Sequence, residues 1–299
     1  NAERAVRSVV AKLTSGLPAA VEIAAGQDVY RREAAVYAFL GAEPPFATPR
    51  CYWSKAGTDG RSLNLVLEDL TGRTRAVNQV SGCTPDEALA VGAELARLHA
   101  AYWNDPRLGE ADWLLDRQAT ASHAGEVQTA AAALFRERYQ DRIAPDCLAA
   151  IDHFAANAEA AIRAVPPGHT LVHGEPRVDN ILFEDTSDRP RAWLIDWQFA
   201  DRGSPMFDLA YFLAGSLSVE DRRKVEAELI DRHCAAIAAV DPAYTSERAY
   251  AEFRSCLPIA LHFSAGAVLA VPPGEAEDRL LCTLVERNVA ALRDWGCLD

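Results

Sequence analysis

The chain has 299 residues, of which 49% are hydrophobic and 24% charged, and its formal net charge is −13. This length and composition predict a soluble globular protein that is large enough for two lobes. The acidic balance argues against a nucleic-acid partner, because proteins that bind a phosphate backbone need basic surface to displace its counterions.

The first predicted elements are a strand and a helix. Val6 to Leu13 is short, rich in β-branched residues and interrupted by Lys12, a pattern typical of a buried strand with one functional side chain. Thr14 to Gly26 consists largely of small residues and is predicted to be a linker. Val29 to Leu40 has apolar residues at helical spacing and includes Glu33, so we expect an amphipathic helix.

A predicted hairpin completes the first third of the chain. The strand-like runs Arg50 to Lys55 and Ser62 to Glu68 flank a turn with glycines at both ends, Gly57 to Gly60. Residues 1–68 are therefore predicted to form a small mixed α/β lobe.

The pattern becomes mainly helical from Asp69 onward. Thr84 is the expected N-cap of a helix that starts at Pro85 and carries apolar residues on one face. Five more helices are predicted at Ser122–Gln140, Pro145–Val165, Val219–Ala239, Ser246–Ala270 and Glu275–Trp295. Three short strands are predicted between them at Thr170–Val172, Ile181–Phe183 and Ala192–Ile195. Residues 69–299 are therefore expected to form a large helical lobe.

Cysteines and apolar runs bear on the location of the protein. The seven cysteines are scattered and include no Cys-x-x-Cys pair, which is typical of reduced thiols in a cytoplasmic protein. The most apolar stretch, Cys256 to Val271, contains His262 and is shorter and more polar than a bilayer span. We expect a buried helix there and no membrane partner.

Polar residues near the middle of the chain are spaced as metal-assisted phosphoryl transfer requires. Such a reaction needs bound phosphates, a divalent cation and an acceptor hydroxyl aligned near a carboxylate. Asp196 follows the apolar pair Leu194-Ile195 at a strand end, and Asn180 offers a neutral oxygen. Together these two residues are predicted to bind Mg²⁺.

Two further residues of the same loop complete this interpretation. Glu175 lies five residues before Asn180 and is predicted to accept or orient the proton of the acceptor hydroxyl. Arg177 is either a fixed cation for the transferring phosphate or the partner of a salt bridge within its own loop.

From Leu171 to Leu213 the chain resembles the aminoglycoside phosphotransferase and kinase-like small-molecule kinases, a family that includes choline kinases and ecdysteroid-kinase-like proteins. The catalytic loop of that family reads His-Gly-Asp, four residues and Asn, against HGEPRVDN here. Its metal segment reads Ile-Asp, then Gly, then Asp-Leu-Ala, against IDWQFADRGSPMFDLA here. Two linked motifs in the right order make a specific signal.

The resemblance implies a role for each matching residue. Glu175 would take the base position, and Asn180 and Asp196 would be the Mg²⁺ ligands. His173 would support the loop, and Asp208 would accept backbone N–H bonds beneath it.

A weaker part of the resemblance lies upstream. It implies that Lys12 reaches the α- and β-phosphates of ATP and that Glu33 pairs with Lys12. Glu68 and Leu70 would belong to the hinge whose backbone meets adenine. The first strands of the family would precede Lys12, so we expect an N-terminal segment to be missing before Asn1.

The chain departs from the family pattern at Glu175, which stands where the family has Asp. The additional methylene moves the carboxylate by about 1 Å, and a displacement of that size can cost roughly a hundredfold in rate. Three interpretations of Glu175 remain open. The loop has adjusted so that Glu175 works as a normal base, or the protein is a slow or specialised kinase, or it binds nucleotide or ligand without turnover.

These observations predict an α+β, bilobal, protein-kinase-like fold with a small β-rich N-lobe and a large helical C-lobe. The predicted activity is an ATP- and Mg²⁺-dependent transfer of phosphate to a hydroxyl of a small molecule. An idle nucleotide- or ligand-binding module is the alternative, and a protein kinase is less favoured because no long activation segment separates Asp196 from Asp208. The acceptor, which an aminoglycoside or another hydroxylated metabolite fits, is expected on the late helices, Ser246 to Trp295.

Overall fold

The computed structural model describes residues 7–186 and 189–298, and its N-terminal part contains a small antiparallel sheet. Strands β1 (Val9–Leu13), β2 (Cys51–Ala56) and β3 (Leu63–Glu68) pair in the order β1–β3–β2. The hairpin of β2 and β3 lies within one residue of its predicted bounds. Strand β1 starts later than predicted, and Val6 lies outside the described residues.

Two helices follow β1, and the sequence pattern predicted only the second. Helix α2 (Val29–Leu40) has the predicted bounds. Helix α1 (Pro18–Gly26) occupies the segment predicted to be a linker, so that prediction was wrong. Pro18 at the first turn has a preset φ, and the alanines that follow it favour a helix. The small residues of this segment therefore support a helix rather than a linker.

Helix α2 packs against the small sheet through a buried face. Val36 of the helix and Leu63 and Leu65 of β3 are fully buried in one core. Burial of each such side chain stabilises the fold by about 1.5–3 kcal/mol. This packing holds the helix that carries Glu33 against the sheet. In that sheet β1, the strand beside β3, carries Lys12.

The rest of the chain forms a larger, mainly helical part. Thr84 caps α3 through a capping box with Glu87, in which each side chain binds the backbone N–H of the other residue. The helices are α3 (Pro85–Ala101), α4 (Arg107–Glu110), α5 (Ala121–Tyr139), α6 (Pro145–Arg163), α7 (Pro205–Ser216), α8 (Val219–Ala238), α9 (Ser246–Gly266) and α10 (Glu275–Asp294). None of the helices in the described ranges combines the length and apolar character needed to cross a membrane.

Helix α7 is an element that the periodicity did not predict. Its residues are buried on nearly all sides, including Phe207, Leu209 and Phe212. A helix that is apolar all round has no polar face, so its sequence lacks the 3.6-residue period by which the other helices were recognised. The omission of α7 is therefore a correction to the predicted element order.

Short strands surround the loop that holds the central motif. Strands β4 (Arg75–Ala76), β6 (Ile181–Asp185) and β7 (Pro190–Leu194) form one sheet in the order β4–β6–β7. Strands β5 (Thr170–Val172) and β8 (Asp201–Gly203) form another. The predicted mixed α+β architecture is confirmed, whereas the boundary after residue 68 stays a prediction.

Candidate active site

The loop from His173 to Asn180 is anchored from below by Asp208, in the first turn of α7. One Asp208 oxygen accepts the backbone N–H of His173 at 2.6 Å, and the other accepts that of Gly174 at 2.9 Å. His99 Nε2 donates to the same carboxylate at 3.0 Å. Burial alone would raise the pKa of Asp208, but the hydrogen bond from His99 and the charges nearby hold it below its usual value. A buried carboxylate thus fixes the start of the loop.

Gly174 is required by the close packing of this loop. Its φ is +86°, in the left-handed region, and an added Cβ would overlap the backbone carbonyl oxygen of Phe199. A side chain at this position would push apart the two segments that carry Glu175 and Asp196.

His173 joins the loop to the segment that carries Asp196. Its Nε2 donates to the carbonyl oxygen of Ile195 at 2.8 Å, and its ring packs on Trp197 with centroids 4.6 Å apart. Burial lowers the pKa of His173, which favours the neutral ring. His173 therefore holds together the two segments that carry the acidic residues of the site.

Lys12, Glu33 and Asp196 form a group of ion pairs that we call the cleft cluster. Lys12 Nζ lies 2.8 Å from a Glu33 oxygen and 2.9 Å from an Asp196 oxygen. Lys12 and Asp196, which are 184 positions apart in sequence, are thus joined by an ion pair. This contact joins the small sheet to the segment that follows β7.

The electrostatics of the cleft cluster differ from residue to residue. Glu33 is 2% exposed, and burial raises its pKa to about 7 against the opposing charge of Lys12. Burial alone would lower the pKa of Lys12, but the charges of Glu33 and Asp196 raise it above its usual value. The Lys12 side chain is 37% exposed and that of Asp196 is 27% exposed. Both therefore remain open to a ligand.

Asp196 has a strained backbone. Its φ is +67°, in the left-handed region that residues with a Cβ seldom adopt. Such a conformation costs about 1–3 kcal/mol and persists only where the surroundings enforce it. The ion pair with Lys12 and the bond from His173 to Ile195 supply that enforcement.

Asn180 and Asp196 are brought close together by strand pairing. Ile195 donates its N–H to the Asn180 carbonyl oxygen at 3.1 Å, which continues the β6–β7 ladder. Asn180 Nδ2 donates to the Glu175 carbonyl oxygen at 3.0 Å, which leaves the Asn180 side-chain oxygen for a ligand. One amide and one carboxylate oxygen suit Mg²⁺, whose remaining ligands would be phosphate and water oxygens.

Glu175 is half-buried and lines a cavity. Burial raises the pKa of Glu175, while the charge of Arg177 opposes that rise. Tyr211 of α7 faces the same carboxylate, which together with burial raises the pKa of the tyrosine. Arg177 also pairs with Asp179 at 3.0 Å, so the salt bridge within its own loop is present.

Of the two predicted hinge residues, Glu68 ends strand β3, and Leu70 follows beyond the end of that strand. Glu68 is three residues along β3 from Leu65, the partner of Lys12, which corresponds to about 10 Å of strand. The Glu68 side chain pairs with Arg73 at 3.0 Å. Leu70 is buried, and its carbonyl oxygen accepts the Thr74 N–H at 3.1 Å. The role of Glu68 and Leu70 toward adenine stays a prediction.

Beside Glu175 lies a cavity of about 300 Å³, which we call the helical cavity because helices α5, α7, α9 and α10 form most of its wall. Its uncharged polar residues were not among those predicted for the site. These uncharged residues include Gln128, Tyr211, His262, Ser264 and Asn288. They lie on α5, α7, α9 and α10, with His262 and Ser264 on the same helix, and no spacing in the sequence singles them out.

With this geometry in view, comparison with known proteins identifies the family. The model of the phosphotransferase enzyme family, APH, matches residues 7–250. The chain belongs to this family. The predicted resemblance is thereby confirmed, and the matched span contains the cleft cluster, the loop from His173 to Asn180 and Asp208.

Solved structures show the fold that this phosphotransferase-family chain shares. An ethanolamine kinase of Plasmodium vivax is 12% identical with a TM-score of 0.55, covering 97% of this chain and 77% of that one. A point mutant of aminoglycoside 2'-phosphotransferase-IIIa, in its GDP complex, is 12% identical with a TM-score of 0.52, covering 92% and 84%. No match was found among curated proteins. The predicted bilobal kinase-like fold is confirmed.

Proposed function

We propose that the chain is an ATP- and Mg²⁺-dependent phosphotransferase that moves the γ-phosphoryl group to a hydroxyl of a small molecule. The observation that carries this proposal is the arrangement around one anchored loop. Glu175 lines the helical cavity, and the charge of Asp196 in the cleft cluster also acts on its carboxylate. A nucleotide phosphate and an acceptor hydroxyl would therefore meet at one carboxylate.

Each residue has a distinct task in this proposal. Lys12 would bind the nucleotide phosphates, and Glu33 would hold its ammonium group in place. Asn180 and Asp196 would hold Mg²⁺, which when bound offsets phosphate charge. The acceptor oxygen bonds to the γ-phosphorus as the bond from that phosphorus to the bridging oxygen of ADP breaks. The hydroxyl proton passes to Glu175, whose raised pKa suits a general base.

One observation favours a second function: Glu175 stands in the position where the family motif has Asp. In that alternative the chain binds nucleotide or ligand without turnover. The half-buried carboxylate of Glu175 lines the helical cavity and is close enough to Asp196 to feel its charge, which supports the catalytic proposal instead.

ATP consumption with Mg²⁺ across a panel of hydroxyl compounds separates the two functions. The proposal predicts turnover by the wild type and a loss of about a hundredfold or more in Glu175→Gln, which keeps the size of the side chain but cannot take a proton. The matched variant is Glu175→Asp, which restores the family residue. Turnover that appears only in Glu175→Asp would establish the idle module.

A further inference from the structure

The helical cavity is nearly uncharged. Among the described residues that line it, Glu175 and Arg177 are the only charged ones. Much of the remaining wall is apolar and includes Val127, Phe199, Phe263, Val271, Leu281 and Leu284. The volume of about 300 Å³ equals that of about ten water molecules and lies at the small end of ligand pockets. A compact, mainly apolar molecule fits this wall.

Four amide side chains line the cavity, and two of them, those of Gln128 and Asn288, are buried and have an oxygen without a partner among the described residues. Gln128 on α5 is 1% exposed and Asn288 on α10 is 3% exposed. The Gln128 side-chain oxygen and the Asn288 side-chain oxygen make no hydrogen bond to the described protein. Buried polar atoms in native proteins are nearly always paired, so a missing partner at a cavity wall points to a ligand.

The orientation of both amides is fixed by their nitrogens. Gln128 Nε2 donates to the His262 carbonyl oxygen at 3.1 Å, and Asn288 Nδ2 donates to the Ala260 carbonyl oxygen at 3.1 Å. Asn288 Nδ2 also donates to Ser264 Oγ at 2.7 Å. Flipping either amide would set two oxygens against each other, so the unpartnered atoms are acceptors. The ligand must supply N–H or O–H donors.

His262 adds no charge to this wall. Its Nδ1 lies 3.0 Å from Gln128 Nε2 and accepts from it. Burial, with the nearby charge of Arg117, lowers the pKa of His262 to about 4. The ring is therefore neutral near pH 7 and carries its proton on Nε2.

We propose that the helical cavity binds a compact, neutral, mainly apolar alcohol that donates hydrogen bonds to Gln128 and Asn288, and that it rejects polycations. This inference rests on the proposed function, because it names the acceptor class of that site. A molecule with several ammonium groups would lose their hydration and meet one carboxylate, Glu175, which Arg177 already offsets. The net charge of −13 belongs to the whole chain and does not alter the lining of the cavity.

Ligand binding with turnover blocked tests this class directly. The full chain is loaded with Mg²⁺ and a non-hydrolysable ATP analogue, and binding is measured by ligand-observed NMR and calorimetry. The probes are 2-aminocyclohexanol, its N-acetyl derivative, the matching hydroxy acid and kanamycin. N-acetylation removes the charge and keeps the hydroxyl, so we expect the acetylated compound to bind at least about tenfold more tightly than the amine.

Variants of the two amides show whether the binding is specific. Gln128→Leu and Asn288→Leu should each weaken the acetylated probe by about fivefold to a hundredfold, as expected for a lost buried hydrogen bond. Ala267→Asp adds a carboxylate to the same wall and should shift preference toward the amine. Affinity for the ATP analogue shows that each variant is folded.

Three results would overturn the proposal. They are equal or tighter binding of the amine or kanamycin, unchanged binding in folded Gln128→Leu and Asn288→Leu, and no binding by any probe. Phosphorylation of kanamycin would leave the proposed function standing while refuting this inference. Tight binding of neutral alcohols without phosphate transfer would support the ligand class inferred here and refute the proposed function.

Discussion

The cleft cluster and the helical cavity are built in opposite ways. The cluster pairs its charges at 2.8–2.9 Å. The cavity has an apolar wall with two unpartnered amide oxygens. Paired charges suit a ligand that every member of a phosphotransferase family would share, whereas isolated acceptors suit a ligand that differs between members. We therefore expect the cleft cluster to be common to the family and the helical cavity to be particular to this chain.

The largest expected effect follows from removing the Asp196 carboxylate from the cleft cluster. Glycine tolerates a φ of +67°, so Asp196→Gly keeps the backbone conformation while it deletes the predicted metal ligand. We expect the turnover rate to fall by about a thousandfold while thermal stability is unchanged or rises. Steady-state kinetics and thermal unfolding measure the two effects.

Asp28 offers a matched control for that variant, because it is also a non-glycine residue with a left-handed φ, of 54°. Asp28→Gly should relieve similar strain and leave the rate within about twofold, as for a residue without a role in transition-state stabilisation. Equal rate losses in both variants would show that the effect of Asp196→Gly comes from the backbone alone.

A second prediction concerns the packing of the anchored loop. Gly174→Ala places a Cβ against the Phe199 carbonyl oxygen, so the loop must move or the fold must loosen. We expect a loss of about 3–5 kcal/mol in the free energy of unfolding, together with about a hundredfold loss in rate. Chemical denaturation gives the first quantity and steady-state kinetics the second.

Gly125 in α5 is the control for this substitution, because an added Cβ there has no neighbour within 4 Å. Gly125→Ala should be neutral or slightly stabilising, as expected for a helical glycine. A Gly174→Ala variant as stable and active as Gly125→Ala would contradict the packing described here.

The third prediction tests the ammonium of the cleft cluster. Lys12→Met removes the partner of buried Glu33, and we expect a higher KM for ATP with about a hundredfold lower kcat/KM. Lys55→Met on β2 of the same sheet is the control, because Lys55 is exposed. If both variants bind ATP as the wild type does, Lys12 has no role toward phosphate.

The smallest effect concerns pH. A general base works only when it has lost its proton, and burial raises the pKa of Glu175 above its usual value. The rate should therefore fall on the acid side with a midpoint above pH 4.5, by about tenfold per unit below it. In Arg177→Met the midpoint should move to higher pH, because the Arg177 charge opposes the rise. An unchanged midpoint would show that the charge of Arg177 does not act on the carboxylate of Glu175.

The two regions also differ in how far the sequence predicted them. Glu175, Asn180 and Asp196 lie in two short linked motifs, so local spacing alone indicated their chemistry. Helix α2 was predicted to the residue because one of its faces is apolar and the other polar. Helix α7 was missed because it is buried on nearly all sides and has no such contrast.

The wall of the helical cavity could not be predicted in the same way. Gln128 and Asn288 lie 160 positions apart on different helices, and their meeting depends on how α5, α9 and α10 pack. Helices α5 and α10 carry several other polar residues, so neither Gln128 nor Asn288 stands out in the sequence. Only the placement of hydrogen-bond partners distinguishes an unpartnered oxygen from a satisfied one.

The central claim is that Glu175, Asn180 and Asp196 meet at one phosphate. A crystal structure of the full chain with Mg²⁺ and a non-hydrolysable ATP analogue tests it most directly. We predict Mg²⁺ on the oxygens of Asn180 and Asp196, Lys12 on the phosphates, and the terminal phosphate facing Glu175. A nucleotide bound elsewhere, or a terminal phosphate remote from Glu175, would contradict it.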